Sequence, residues 1–271
     1  DAPGRLLIGV VSLLFLCCAV YSVGYLRYRV ERANRRFCAC LLVALGTMSL
    51  VAYSQHLALL WVGMEATTLA TAQLIYFNRT PRSIEATWKY LVLSSVGIAL
   101  ALFGSFFLGY ASLQGGGEAS LLFPDLLAGA GALSKPWLRA GFTLLLVGYG
   151  TKLGLAPMHT WKPDAYGEAP GVVGAVLAGG MTSCAFLALA RLTQITAAAG
   201  AGAYANRLLM LIGIASMGVA GALLLGQRDL KRMLAYSSVE QMGILALATG
   251  LGAGAGFATM LHLVNNAFAK G

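Results

Sequence analysis

Nine apolar runs, each near the length of a bilayer-spanning helix, follow one another along this chain with only short polar stretches between them. They lie at 6–26, 37–54, 57–77, 89–110, 137–156, 171–193, 207–225, 231–250 and 255–270. A helix needs roughly 20 mostly apolar residues to cross the hydrocarbon core. In lipid its backbone polar groups must also be satisfied internally. The pattern therefore predicts an all-α fold, a polytopic membrane protein of about nine transmembrane helices in one domain, 1–271. Only 11% of the residues are charged, against about a quarter in soluble domains, which excludes a soluble enzyme. The first run carries its arginines after the apolar stretch, the reverse of a signal peptide, and reads as a true span.

The net charge of +9 does not point to nucleic acid, because the basic residues sit in short clusters between apolar runs. Positively charged loops are retained on the cytoplasmic side. One alternate set of loops holds Arg27, Arg29, Arg32, Arg35 and Arg36, then Arg79, Arg82 and Lys89, then Lys162, then Arg228, Lys231 and Arg232. The other holds only Arg5, Lys135, Arg139, Arg191 and Arg207. This asymmetry predicts an outer N-terminus and an inner C-terminus. The longest non-helical stretch, 111–136, contains an amphipathic run from Leu121 to Leu127 and is expected on the outer surface. Beginning at Asp1 and stopping at Lys270-Gly271, the chain reads as an internal piece of a longer protein. The five cysteines form no ligand set and read as small apolar fillers.

A charge near the bilayer centre costs a few kcal/mol on insertion scales, so an ionisable group there is a functional candidate. Glu65 lies too deep in the 57–77 run for a short carboxylate to reach either surface, and Thr67, Thr68 and Thr71 widen its polar face; the competing reading is a structural carboxyl. Lys152 is followed by Gly154-Leu155-Ala156-Pro157, and a proline removes a backbone bond and clashes with the preceding turn. The 137–156 helix is therefore expected to break just beyond the lysine, as helices do in transporters; the rival is a lysine that snorkels to the surface. His262, Asn266 and Lys270, spaced by four, share one helix face. Lys231, Ser238 and Gln241 form another polar stripe, although Lys231 alone could be an anchor. If Glu65 and Lys152 meet, parting them couples a movement of charge to proton release. Gly150 and Gly154 form a GxxxG that suits close packing or bending, and the sequon at Asn78 falls in an inner loop and reads as chance. Neither a Walker A nor a cluster-binding cysteine set is present, so no cofactor and no metal are expected in this chain.

The run Gly148-Tyr-Gly-Thr-Lys152-Leu-Gly-Leu-Ala-Pro157-Met-His159-Thr-Trp161-Lys-Pro163-Asp164-Ala-Tyr-Gly-Glu168-Ala-Pro170 resembles the broken-helix signature of the antiporter-like subunits of respiratory complex I and its relatives. Leu60-Trp-Val-Gly-Met-Glu65, Gln227-Arg-Asp-Leu-Lys231 and His262-Leu-Val-Asn-Asn266-Ala-Phe-Ala-Lys270 resemble three further motifs of that family, in the same order. Within it, Thr80-Pro-Arg-Ser-Ile-Glu-Ala-Thr-Trp-Lys-Tyr-Leu and the Gly-Tyr-Gly-Thr-Lys run look most like the hydrogenase-4 component F branch, found beside membrane-bound [NiFe] hydrogenases and formate hydrogenlyases.

The resemblance implies an inverted repeat of five-helix units, the first at 36–193 and a truncated second from 206 to 271, with flanking helices absent at both ends. It assigns Glu65, Lys152, Lys231, His262 and Lys270 to a proton relay, with His159, Ser183 and Asn266 as auxiliaries. Relatives often carry a second lysine where this chain has Ser183, so a relay there would need water or the Thr182 and Ser183 hydroxyls. The implied partners are other membrane subunits and a peripheral [NiFe] hydrogenase or related redox module, in a prokaryotic inner membrane. The function expected is a proton-translocating subunit of a hydrogenase-4-like or complex I-like oxidoreductase. Its rivals are an Mrp-type cation/proton antiporter subunit and a non-pumping membrane anchor.

Overall fold

The computed structural model describes residues 1–29 and 34–271; Arg32, one of the arginines expected at the inner face, lies outside them. Every one of the nine apolar runs is helical. In chain order the helices are α1 (Ala2–Arg27), α2 (Asn34–Tyr53), α3 (Leu57–Ile75), α4 (Pro81–Gln114), α5 (Phe123–Ala128), α6 (Lys135–Leu153), α7 (Trp161–Glu168), α8 (Gly171–Ala175), α9 (Thr182–Ala198), α10 (Gly202–Leu224), α11 (Leu230–Gly250) and α12 (Gly256–Lys270). A π-helical turn, Val176–Met181, joins α8 to α9 into one rod. Among the described residues, six helices are long and apolar enough to cross a membrane: α1, α2, α3, α4, the α8–α9 rod and α10. The other three expected spans carry the polar groups, since α6 holds Lys135, Arg139 and Lys152 and α11 holds Lys231, Arg232 and Glu240, while α12 has only 15 residues. Leu16, Val20, Leu42, Val43, Val92 and Val96 are exposed on outer helix faces, as suits side chains bathed in lipid.

Helix boundaries follow local chemistry that hydropathy does not report. Thr80 caps α4 by accepting from the Ser83 N–H, with Pro81 in the first turn, a pairing that fixes the start of a helix. The helix therefore begins eight residues before the apolar run at 89–110 and spans 34 residues. At 1.5 Å per residue that is about 50 Å, well beyond the roughly 30 Å hydrocarbon core. The stretch 111–136, read as non-helical, is partly helical, since α4 runs on to Gln114 and α5 lies within it. Leu57 N–H donates to Leu121 O and Phe123 N–H to Gln55 O, pinning the stretch to the α2–α3 corner, and α5 buries Phe123 and Leu126.

Close backbone approach locks α4 to α6. A Cβ on Gly97 would lie 2.7 Å from Thr151, and one on Gly148 would lie 2.6 Å from the Gly97 carbonyl oxygen. Small residues permit such contact in membrane bundles. Gly213 and Gly243 play the same part between α10 and α11.

Two basic residues read as loop anchors are buried instead. Arg191 lies in α9 at 3% exposure and donates to Ser54 O, Ala52 O and both Asp1 carboxylate oxygens, closing the C-terminal end of α2. Its many donors satisfy helix-end carbonyls that have no intrahelical partner. Lys162 is fully buried in α7.

Candidate functional site

The expected helix break is present, and its geometry differs in detail from a proline kink. α6 ends at Leu153, and Gly154 follows in the left-handed region at φ 78°. Gly154 N–H bonds to Thr151 O and Leu155 N–H to Gly150 O, the closure that left-handed glycine provides at a helix C-terminus. The helix therefore stops three residues before 156, and it is Gly154 that stops it. Pro157 lies in the turn that follows, and the chain resumes as α7 from Trp161. The GxxxG thus serves bending at Gly154.

Lys152 sits in the last turn of α6 with no exposure. Its Nζ donates to the Thr68 hydroxyl and lies 3.9 Å from Glu65 Oε2 and 5.9 Å from the Tyr90 ring centre. The reading of Lys152 as a snorkelling lysine is thereby excluded. Glu65, on α3, also accepts from Ser95 Oγ of α4 at 3.3 Å. A net of hydroxyls continues from the pair: Thr71 Oγ1 is 2.7 Å from Tyr90 OH, and Tyr90 reaches Met181 Sδ in the π turn. The structure therefore brings Glu65 and Lys152 together at the meeting of α3, α4 and α6, beside a freed helix end.

Lys231, His262, Asn266 and Lys270 lie on α11 and α12. Lys270 Nζ donates to Ser237 Oγ at 2.6 Å. A cavity of about 160 Å³ opens beside it, lined in part by Tyr166, Lys231, Ser238 and Lys270. Lys231 is exposed at its mouth and donates to Ala169 O at 3.0 Å and Gly167 O at 3.4 Å, so its present work is to close the end of α7. Asn266 is buried with neither side-chain polar atom paired, and His262 Nε2 is likewise buried without a partner. Buried polar atoms left over by protein partners are ordinarily met by water. His262 and Asn266 do share a face of α12, as their spacing predicts.

Ser183 differs from its expected role. Its hydroxyl donates to Gly179 O, and that of Thr182 to Ala178 O. Both hydroxyl protons are thus committed to carbonyls of the π turn.

Sequence reasoning missed three groups at the site. Lys162 donates to Leu153 O at 2.8 Å inside the break. Asp164 accepts from Lys89 of α4 and Arg232 of α11, each at 2.9 Å, tying α7 to both helices. Asn78, read only as a chance sequon, donates to Glu168 O and accepts from Arg29. A charged residue within a broken-helix motif was the available signal for the first two.

Residues 54–271 match the NADH:quinone oxidoreductase/Mrp antiporter transmembrane family. A curated relative, described as a hydrogenase-4 component F homolog from Methylacidiphilum infernorum, is 36% identical over all of this chain, which spans 60% of that protein's length. Among solved structures, a chain of respiratory complex I from Thermus thermophilus is 30% identical with a TM-score of 0.76, covering 97% of this chain and 56% of its own. A chain of an archaeal membrane-bound sulfane sulfur reductase is 25% identical with a TM-score of 0.90, covering 98% and 53%. A chain of the Mrp complex from a Dietzia species, 20% identical with a TM-score of 0.86 over 100% of this chain and 49% of its own, shares the fold. A match running from the α2–α3 corner to the last residue, across the broken helix and the polar face of α12, makes this chain a member of the NADH:quinone oxidoreductase/Mrp antiporter transmembrane family.

Proposed function

We propose that this chain is part of a proton-translocating membrane subunit of a hydrogenase-4-like complex, in which partner subunits transfer electrons and Glu65 and Lys152 open the path of the proton. The observation that carries this reading is the fully buried Lys152 ammonium 3.9 Å from a carboxylate, at the end of a broken helix inside a membrane bundle. At an effective dielectric constant near 20, two charges about 4 Å apart attract by about 4 kcal/mol, and the attraction halves when the distance doubles. A movement of α3 against α6 by a few ångströms therefore changes the hold on the lysine's proton by an amount useful for coupling. His262, Asn266 and Lys270, with the cavity beside Lys270, continue the path, and the unpaired polar atoms there favour a hydrated route. Lys231 stands at its mouth.

The similarity to a hydrogenase-4 component F homolog favours a peripheral [NiFe] module as the redox partner and a prokaryotic inner membrane as the location. The unit from 36 to 193 is read as one five-helix repeat, with 206–271 opening its inverted partner. The test uses the full-length protein purified with its native complex. Nickel, iron and their subunits should copurify, and proteoliposomes should acidify on electron transfer without a requirement for Na⁺. Glu65→Gln should abolish that acidification and leave electron transfer measurable. Copurification of multi-span subunits alone, with Na⁺-dependent exchange, would establish an antiporter component instead. Unchanged acidification in Glu65→Gln would remove the pair from the mechanism.

A further inference from the structure

Lys162 is the second fully buried lysine in the bundle, and nothing in the mechanism above uses it. Its Nζ donates to Leu153 O, one residue beyond Lys152, while its charge lies 5.6 Å from the centre of the Tyr166 ring. Tyr166 in turn lines the cavity that holds Lys270 and Lys231. Lys270 and His159 are both within electrostatic reach of Lys162. Among the described residues no carboxylate pairs with it. Lys162 thus bridges the interval between the Glu65–Lys152 pair and the cavity at α12.

A lysine that hydrogen-bonds a helix-end carbonyl has an ordinary structural explanation as a cap. A cap alone, however, is served by a neutral donor. Burying an ammonium is costly unless a counter-charge compensates, and only one of its three donors meets a carbonyl here. The alternative carriers at this level are occupied, because the Thr182 and Ser183 hydroxyls donate to the π turn. Gly154, moreover, has no Cβ where one would lie 2.6 Å from Lys162 Cδ, so the backbone is shaped around this side chain.

We propose that Lys162 carries the proton between Lys152 and the Lys270 cavity, its amine on the α7 segment accepting a proton from one side of the break and passing it to the other. The proposal rests on the proton-translocating reading of the complex. Accepting one proton converts the neutral amine to the ammonium and passing that proton on restores the amine, so no oxidant or co-reactant is involved.

The test measures protons translocated per electron transferred in proteoliposomes of the native complex, for wild type and for Lys162→Gln, Lys162→Arg and Lys162→His, with subunit content checked in each. Gln and Arg both keep an N–H donor for Leu153 O, but neither exchanges a proton at neutral pH, whereas His does. The expected result is a loss of at least about tenfold in the proton-to-electron ratio for Gln and Arg, with His restoring a measurable part. Losing a proton-transfer group ordinarily costs about 10²–10⁴-fold, and water can replace some of it. If Gln does not assemble, the contrast between Arg and His decides. Wild-type ratios in Gln or Arg would show a cap and overturn the proposal. Loss of assembly in all three variants would overturn it too, as the mark of a structural lysine. A wild-type complex that transfers electrons without moving protons would overturn the parent reading, which separates the two failures.

Discussion

Two glycines two residues apart in α6 should respond in opposite ways to the same substitution. Gly148 faces α4, where a Cβ would lie 2.6 Å from Gly97 O and 2.7 Å from Ala101 N; Gly150 faces the break, where a Cβ would meet only Leu155, its Cδ1 at 3.5 Å. Both are buried within the helix, so Gly→Ala gains about 1 kcal/mol of helix propensity at each. At Gly150 nothing opposes that gain. At Gly148 the obstacle is backbone and cannot rotate away, so the two helices must part by several tenths of an ångström or more. Overpacking of this kind costs about 1–3 kcal/mol, and a gap of 0.5–1 Å forfeits roughly a quarter to a half of each dispersion contact along the seam. The net expectation is about 2 kcal/mol of destabilisation for Gly148→Ala and about 1 kcal/mol of stabilisation for Gly150→Ala. At roughly 2–4 °C per kcal/mol for a chain of this size, thermal unfolding of the full-length protein in mild detergent should separate the two variants by about 10 °C. Equal melting temperatures, or a Gly148→Ala variant as stable as wild type, would refute the close α4–α6 contact and the positioning of Lys152 that depends on it.

Other substitutions test the frame around the site. Gly154→Ala places a side chain at φ 78° and against Lys162 Cδ; it should lower stability by about 1–3 kcal/mol and reduce proton movement per electron more than it reduces electron transfer. Asp164→Asn removes the carboxylate charge shared by Lys89 and Arg232, so hydrogen exchange should speed up in α7 and leave α10 unaffected, with high salt mimicking the change in wild type. Thr80→Ala deletes the cap of α4 and should cost about 1 kcal/mol, seen as faster exchange at Ser83 and Ile84 with the membrane-spanning part of α4 unchanged.

The apolar runs disclosed the bundle because helices in lipid have little alternative, and deep charges are rare enough to stand out. Glu65 and Lys152 were legible on that ground, as was the broken helix after Lys152. Its cause was misplaced by a few residues, since a left-handed glycine stops a helix at its own position, whereas a proline's effect is spread over the preceding turn. Lys162 and Arg191 were misread for one reason: charge counting treats a basic residue near an apolar run as facing water. Lys162 lies under the break, and Arg191 turns inward to helix-end carbonyls that hydropathy does not represent. The closeness of Glu65 to Lys152 was beyond sequence reasoning, because they lie far apart along the chain and meet only through the packing of α3, α4 and α6.

The eight-residue helix α7 is fastened at both ends. At one, Lys162 grips the carbonyl of Leu153 beside Lys152; at the other, Lys231 and Arg232 of α11 hold Ala169 and Asp164. It is therefore a strut between the Glu65–Lys152 pair and α11. A strut transmits load both ways. Under the proposed function, whatever displaces α11, whether a neighbouring subunit or a proton arriving near Lys270, would work on the Glu65–Lys152 separation, and loading that pair would bias α11 by the same free energy. Coupling across this bundle would then need no large rearrangement, only a short lever that has something to push against at each end.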